Sequence, residues 1–170
     1  MYDKITAWST LALAAFSLIS CFVVFWGIWR QTRSFAQSVS ADLGFKLNDR
    51  FDGPILKETR KEATEALLEG RKSADIDDLF DFFETVGFYV DRGLLDERIA
   101  HTLFFYWVNL YWVAGKEQIN NNRLASKGVW IYFGKLHDRL LKIEIDDDPK
   151  SRDINPSEDR IRQMLQYELK

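Results

Sequence analysis

Side chains suited to metal ligation or thiol chemistry are few in this chain of 170 residues: His101, His137 and Cys21. Glu97 and His101 stand at i,i+4, a spacing that brings two ligands to one face of a helix. A helical metal centre needs a second such pair, and no Glu-x-x-His motif occurs anywhere. His137 and Asp138 are adjacent and so point to different sides of a helix. With one cysteine, neither an intrachain disulfide nor a cysteine-based zinc site can form. The carboxylates Asp77, Asp81, Glu84 and Asp91 recur along one helical face, and at Asp77, Asp81 and Glu84 a hard cation could bind. Helices expose such rows routinely to stay soluble, and a solvated face is the simpler reading. The chain has no phosphate-binding glycine loop, dinucleotide fingerprint, zinc-protease helix or nucleophile elbow. The expectation is a protein with no catalytic residue, metal or cofactor, one that is not an enzyme.

What the chain has instead is an anchor. Ala7 to Trp29 is 23 residues without a charge, long enough as a helix to cross a hydrocarbon core of about 30 Å. Trp8 lies near one end and Trp26 and Trp29 near the other, where indole rings settle at headgroup level. Arg30 and Arg33 follow directly, against Lys4 before. The positive-inside tendency therefore predicts an outside N-terminus and a cytoplasmic C-terminal part, in the inner (cytoplasmic) membrane. A cleaved signal peptide would have a shorter apolar core and a polar start after it. Leu18-Ile19-Ser20-Cys21 looks like a bacterial lipobox, yet Phe-Val-Val-Phe-Trp is a poor mature N-terminus. Thr6, Thr10, Ala14, Ser17 and Cys21 stack in a small-residue stripe that would let another membrane helix approach closely.

The rest has the composition of a folded domain. Hydrophobic residues make up 46% and aromatic residues 15% of the chain, which excludes disorder. A net charge of −3 argues against nucleic acid as a partner.

Periodicity divides the chain into a tail 1–6, the span 7–29, a helical extension 30–52, a bundle 53–145 and a C-terminal part 146–170. Phe35, Val39, Leu43, Leu47 and Phe51 recur every four residues, so helix continues past the span until Asp52-Gly53-Pro54 breaks it. Ile55 to Glu69 reads as a charged helix with a modest apolar side of Ile55, Ala63, Ala66 and Leu67, little more than a solvated face. Gly70 ends it.

Asp75 to Arg92 sets Ile76, Leu79, Phe80, Phe83, Val86, Gly87 and Val90 on one broad face opposite the carboxylate row, and Gly93 caps it. Phe88 falls on the acidic side. An aromatic ring among carboxylates is out of pattern for a solvated surface. It is either covered by the tail helix 157–169, with Arg160 and Arg162 opposite the acids, or it anchors a partner together with Asp81, Glu84 and Asp91.

Asp96 caps a helix to about Lys116. Its inner side is read as Ile99, Leu103, Tyr106, Trp107, Leu110, Val113 and Ala114, while Phe104, Phe105, Val108, Tyr111 and Trp112 make the other sides apolar too. A helix apolar all round is buried all round. Thr102 to Gly115 is uncharged over 14 residues, too short for a second span, though a re-entrant segment has that length. Asn109 inside it should bond a neighbouring backbone group. Asn120-Asn121-Asn122 reads as a break. Val129 to Ile143 is a helix bearing Trp130, Ile131, Phe133, Leu136 and Leu140. Asp146-Asp147-Asp148-Pro149 is a loop, and Ser157 caps a last short helix.

The block Leu79 to Glu84, Val86-Gly87, Arg92-Gly93-Leu94-Leu95 and Tyr111-Trp112, with the later Trp130 to Phe133, resembles a bacterial family of membrane-anchored helical proteins of uncharacterised function. That family has an N-terminal span and an FFE…VG…RGLLD…YW core. The likeness covers residues 30 to 145. It implies fold and topology and transfers no active site.

The resulting expectation is an all-α chain, a single N-terminal transmembrane helix followed by a cytoplasmic helical bundle. Its partners would be the lipid bilayer and another membrane protein or itself, as an accessory subunit of a larger complex. The alternative is a sensor or effector that binds a small ligand between helices and self-oligomerises.

Overall fold

The computed structural model describes the backbone of residues 2–126 and 128–169, and side chains from residue 16 on except 18, 19, 33, 34, 125, 127 and 170. Among the described residues there are seven helices and no strand: α1 Tyr2–Asp52, α2 Pro54–Glu69, α3 Ala74–Asp91, α4 Glu97–Ala114, α5 Lys116–Ala125, α6 Ile131–Asp147 and α7 Glu158–Glu168. The chain is all-α. It divides into two compact units, one ending at Val39 and one beginning at Ser40.

In the first unit the described side chains of α1 are exposed. Phe16, Phe22 to Trp26, Ile28, Trp29 and Phe35 are all more than half exposed. Ser17, Cys21 and Arg30 are exposed as well. Among the described residues no helix is long and apolar enough to cross a membrane. The side chains of Thr6, Trp8, Thr10, Ala14 and Arg33, named above for the span, lie outside the described residues.

The second unit is the bundle. Its part of α1 carries the later half of the four-residue stripe: Leu47 and Phe51 are buried and Leu43 packs partly covered against the core, while Phe35 and Val39, in the first unit, are exposed. Steps of four residues drift around a helix, so one fixed direction cannot hold them all. Gly44 faces α4, and a Cβ there would stand 2.8 Å from Ile99 Cγ2. Pro54 opens α2, as its fixed φ allows. Gly70 closes α2 in the left-handed region (φ 67°), its successor Arg71 donating to the Ala66 carbonyl at 3.0 Å. Ser73 caps α3 and Asp96 caps α4 through side-chain acceptors.

α3 packs on α2 and α6, and α4 packs on α6 and α7. Phe51, Phe82, Phe83 and Phe104 meet at ring separations of 5.3–6.0 Å. Phe133 of α6 stacks on Phe83 at 5.2 Å.

Four sequence expectations are corrected. α2 is more than a solvated face, because Arg60, Ala63, Thr64 and Ala66 are buried. Of the expected inner side of α4 only Leu110 is fully buried; it is joined there by Ala100, Phe104, Phe105, Val108 and Tyr111, while Ile99, Leu103, Tyr106, Trp107, Val113 and Ala114 pack only partly covered. The three asparagines do not break the chain; they lie inside α5, where neighbouring turns supply the hydrogen bonds that asparagine otherwise seeks in turns. Trp130 precedes α6 instead of lying within it, at φ 50° and ψ 44°.

Candidate functional site

The α3–α6 seam holds the residues that the sequence singles out. The carboxylate row is more than a solvated face: Asp81 is exposed and Asp77, Glu84 and Asp91 are half-buried, yet each has a partner within the chain. Asp77 accepts from Gln118 Nε2 at 2.8 Å, Asp81 from Trp130 Nε1 at 2.8 Å, and Glu84 from the Phe133 backbone N–H at 2.6 Å. Asp91 pairs with Arg139 Nη2 at 3.0 Å and Lys135 Nζ at 3.3 Å. Glu84 thus satisfies one of the free N–H groups of the first turn of α6 and sets its charge at the positive end of that helix. The row stitches α3 to α6 and α5. Sequence periodicity places these acids on one face, but cannot say that a second helix lies against it.

Gly87 explains how close that helix comes. A Cβ at residue 87 would stand 2.2 Å from the Tyr132 carbonyl oxygen, so the seam closes only over glycine. Phe88 lies beside this contact, 36% exposed. Its ring meets Tyr132 edge-on at 5.5 Å, with Arg92 over it at 5.4 Å. The intrachain cover is therefore the start of α6 and not α7, and Arg160 turns to Asp153 at 2.7 Å.

His101 lacks the Glu97 partner that spacing suggests, and His137 meets Asp138, the neighbour that adjacency was expected to turn away. His101 Nε2 lies 3.1 Å from Glu144 Oε2 and stacks on Phe105, while Glu97 pairs with Arg139. Among the described residues no three His, Cys, Asp or Glu side chains converge as a metal site. His137 is buried on Trp112, and its Nε2 lies 3.1 Å from Asn109 Oδ1. The Asn109 amide donates to the Asp153 carbonyl, a backbone group 44 residues away. With that amide committed, Asn109 Oδ1 is an acceptor and His137 Nε2 must donate. Nδ1 is then bare in the neutral ring, 3.3 Å from exposed Asp138. Burial holds the His137 pKa below its ordinary value, while Asp138 pulls the other way.

Sequence reading misses a second buried polar cluster. The Arg60 guanidinium lies between the rings of Phe51 (4.1 Å) and Trp107 (5.0 Å). It has Asp52 at 3.5 Å and Glu168 at 3.1 Å as counter-charges. Its Nε sits within ion-pair distance of Glu168 but off the hydrogen-bond axis, so that N–H has no acceptor. Next to it the buried hydroxyls of Thr64 and Tyr111 bond each other at 3.0 Å. Burial pushes the Tyr111 and Glu168 pKa values up. The signal was present: Leu56, Arg60, Ala63 and Leu67 share one face at steps of four, three and four, with the cation in the middle of an apolar stripe.

Comparison with protein families, curated proteins and solved structures finds no match to this chain.

Proposed function

We propose that the chain is a single-pass, membrane-anchored, non-enzymatic interaction protein of the inner membrane, serving as an accessory subunit of a larger membrane complex. The observation that carries this is the run Phe22 to Trp29. Phe22, Val23, Val24, Phe25, Trp26, Ile28 and Trp29 are each 52–69% exposed and, at 100° per residue, point in every direction from the helix. A helix apolar all round needs cover on all sides, and in the uncharged stretch 7–29 a bilayer supplies it. Arg30 at its exposed end supports a cytoplasmic bundle and an outside N-terminus. The likeness to the bacterial membrane-anchored family points the same way. Of the proposed partner contacts, Asp81, Glu84 and Asp91 are engaged within the chain, so Phe88 carries that role by its remaining exposure.

A second reading, a sensor taking a small ligand between helices, draws on an open groove of about 630 Å³ between α2, α4 and α7. Alkaline extraction of membranes tests the anchor: the full chain should stay in the pellet, and a soluble full chain refutes the reading. A reporter enzyme active only outside the cytoplasm, fused after Lys170, should be silent. Purification in mild detergent separates the two functions, since a stoichiometric foreign partner supports the subunit and a self-oligomer supports the sensor.

A further inference from the structure

The chain enters the bundle at one end. Ser40 begins the second unit, and its Oγ accepts from the Asp96 backbone N–H at 2.7 Å. Four residues on, Gly44 faces Leu95, Ile99 and Leu103, and Phe51 then reaches Phe82 and Phe104. This part of α1 therefore runs from the α3–α4 turn toward the middle of both helices, and the turn, residues 92–96, marks the entry end. α5 lies toward the other end of α3, where Gln118 bonds Asp77.

The turn aims one apolar side chain outward. Gly93 is left-handed (φ 68°), and the N–H groups of Leu94 and Leu95 both donate to the Tyr89 carbonyl, at 2.9 and 3.1 Å. The residue after such a glycine commonly packs back on the helix it ends. Here Leu95 is the buried one, at 1%, and Leu94 stays 51% exposed. Arg92 is exposed beside it, its guanidinium held over the Phe88 ring at 5.4 Å. The carboxylates around the turn are engaged within the chain. Asp91 pairs with Lys135 and Arg139, Glu97 with Arg139 and Asp147 with Arg98, while Asp96 accepts from the first N–H groups of α4. Among the described residues no carboxylate lies within ion-pair distance of Arg92.

We propose that this turn is a second membrane contact, in which Leu94 enters the headgroup layer of the bilayer and Arg92 meets a lipid phosphate. An apolar tip beside an unmatched cation suits a lipid–water interface, with hydrocarbon directed inward and charge left among the phosphates. The inference rests on the reading of 7–29 as the span and adds which end of the bundle touches lipid. The tether makes so small a contact sufficient. Trp29 and Ser40 are 11 residues apart, at most about 40 Å of fully extended chain, so the entry end is held near the surface at high effective concentration.

The test uses the full chain, with Cys21→Ser to remove its one thiol, in vesicles of phosphatidylcholine and phosphatidylglycerol in equal parts. An environment-sensitive dye on Leu94→Cys should emit to the blue and be quenched by lipid spin-labelled near the headgroup. The same dye on Leu124→Cys, at a residue 86% exposed on α5, should report water. Arg92→Glu should at least halve the quenching at position 94, since one cation at an anionic surface is worth about fivefold in binding. Arg92→Gln removes the charge without reversing it and should act in the same direction, which covers a reversal that disturbs the turn. A water-like dye at position 94, in a chain that stays with the vesicles, overturns the contact and leaves the anchor standing. Equal quenching at positions 94 and 124 overturns it as well, because the dye itself would then be inserting. So does quenching indifferent to both Arg92 variants. A dye at position 94 that is shielded from water but not reached by spin-labelled lipid assigns the turn to a protein partner and overturns lipid as its cover. A chain that does not stay with the vesicles overturns anchor and contact together.

Discussion

The indole N–H of Trp130 donates to Asp81 Oδ1 at 2.8 Å from a residue whose backbone is left-handed, φ 50° and ψ 44°. Trp130 is the only non-glycine with positive φ among the described residues, and its ring is buried edge-on against Phe80 at 5.0 Å. Arg123 secures the turn by donating to the Trp130 carbonyl at 2.7 Å. The side chain's burial outweighs the backbone strain. Replacing it separates the two terms.

Trp130→Ala should lose about 3–5 kcal/mol, as expected for a large aromatic removed from a core. Trp130→Gly should be more stable than Trp130→Ala by about 1 kcal/mol, because glycine holds φ > 0 without the Cβ clash. This reverses the usual order of the two residues. Urea midpoints compare them, and a glycine variant weaker than the alanine one refutes the strain assignment.

Gly87→Ala tests the α3–α6 seam. The new Cβ would meet backbone atoms of Tyr132 at 2.2 and 2.6 Å, and backbone cannot rotate away as a side chain can. The cost should reach or exceed about 3 kcal/mol, the upper end for overpacking. An unchanged melting temperature would refute the close approach of α6 to Gly87.

The Thr64–Tyr111 bond calls for a double-mutant cycle. Both residues are fully buried, so either partner alone leaves a hydroxyl unsatisfied. Tyr111→Phe and Thr64→Val should each cost about 1–3 kcal/mol, whereas the double variant should cost less than their sum. Strict additivity would mean that water satisfies the orphaned group.

His137 gives the chain a pH dependence. Unfolded, its ring titrates near 6.5; folded, burial lowers that value. Between the two the unfolded chain holds a proton that the folded chain lacks, so acid favours unfolding. The contribution is complete above 6.5 and is lost as pH falls below it toward the folded value. Glu168, raised from 4.5 by burial, acts in the opposite sense, adding stability that fades as pH rises through its folded value. The difference between wild type and His137→Gln isolates the histidine. It should shrink between pH 8 and pH 5, and a constant difference would place His137 in water.

Local chemistry determined what could be read from the residues in order: helices throughout, Pro54 at a start, Gly70 and Gly93 in left-handed turns, and caps at Asp96 and Ser157. These depend on backbone geometry within a few residues. The uncharged length of 7–29 is likewise a property of the sequence alone. The tertiary structure decided which face of each helix has a neighbour. A row of carboxylates has the same spacing whether it meets water or the first turn of another helix, and only the approach of α6 over Gly87 makes Asp81 and Glu84 internal ligands. Arg60 reads as a surface charge until Phe51 folds back from α1 and Trp107 and Glu168 arrive from distant parts of the chain. Asn109 meets His137 and Asp153 in the same way, across 28 and 44 residues. Periodicity fixes direction around one axis; burial is a relation between axes, and it exists only once the helices have packed.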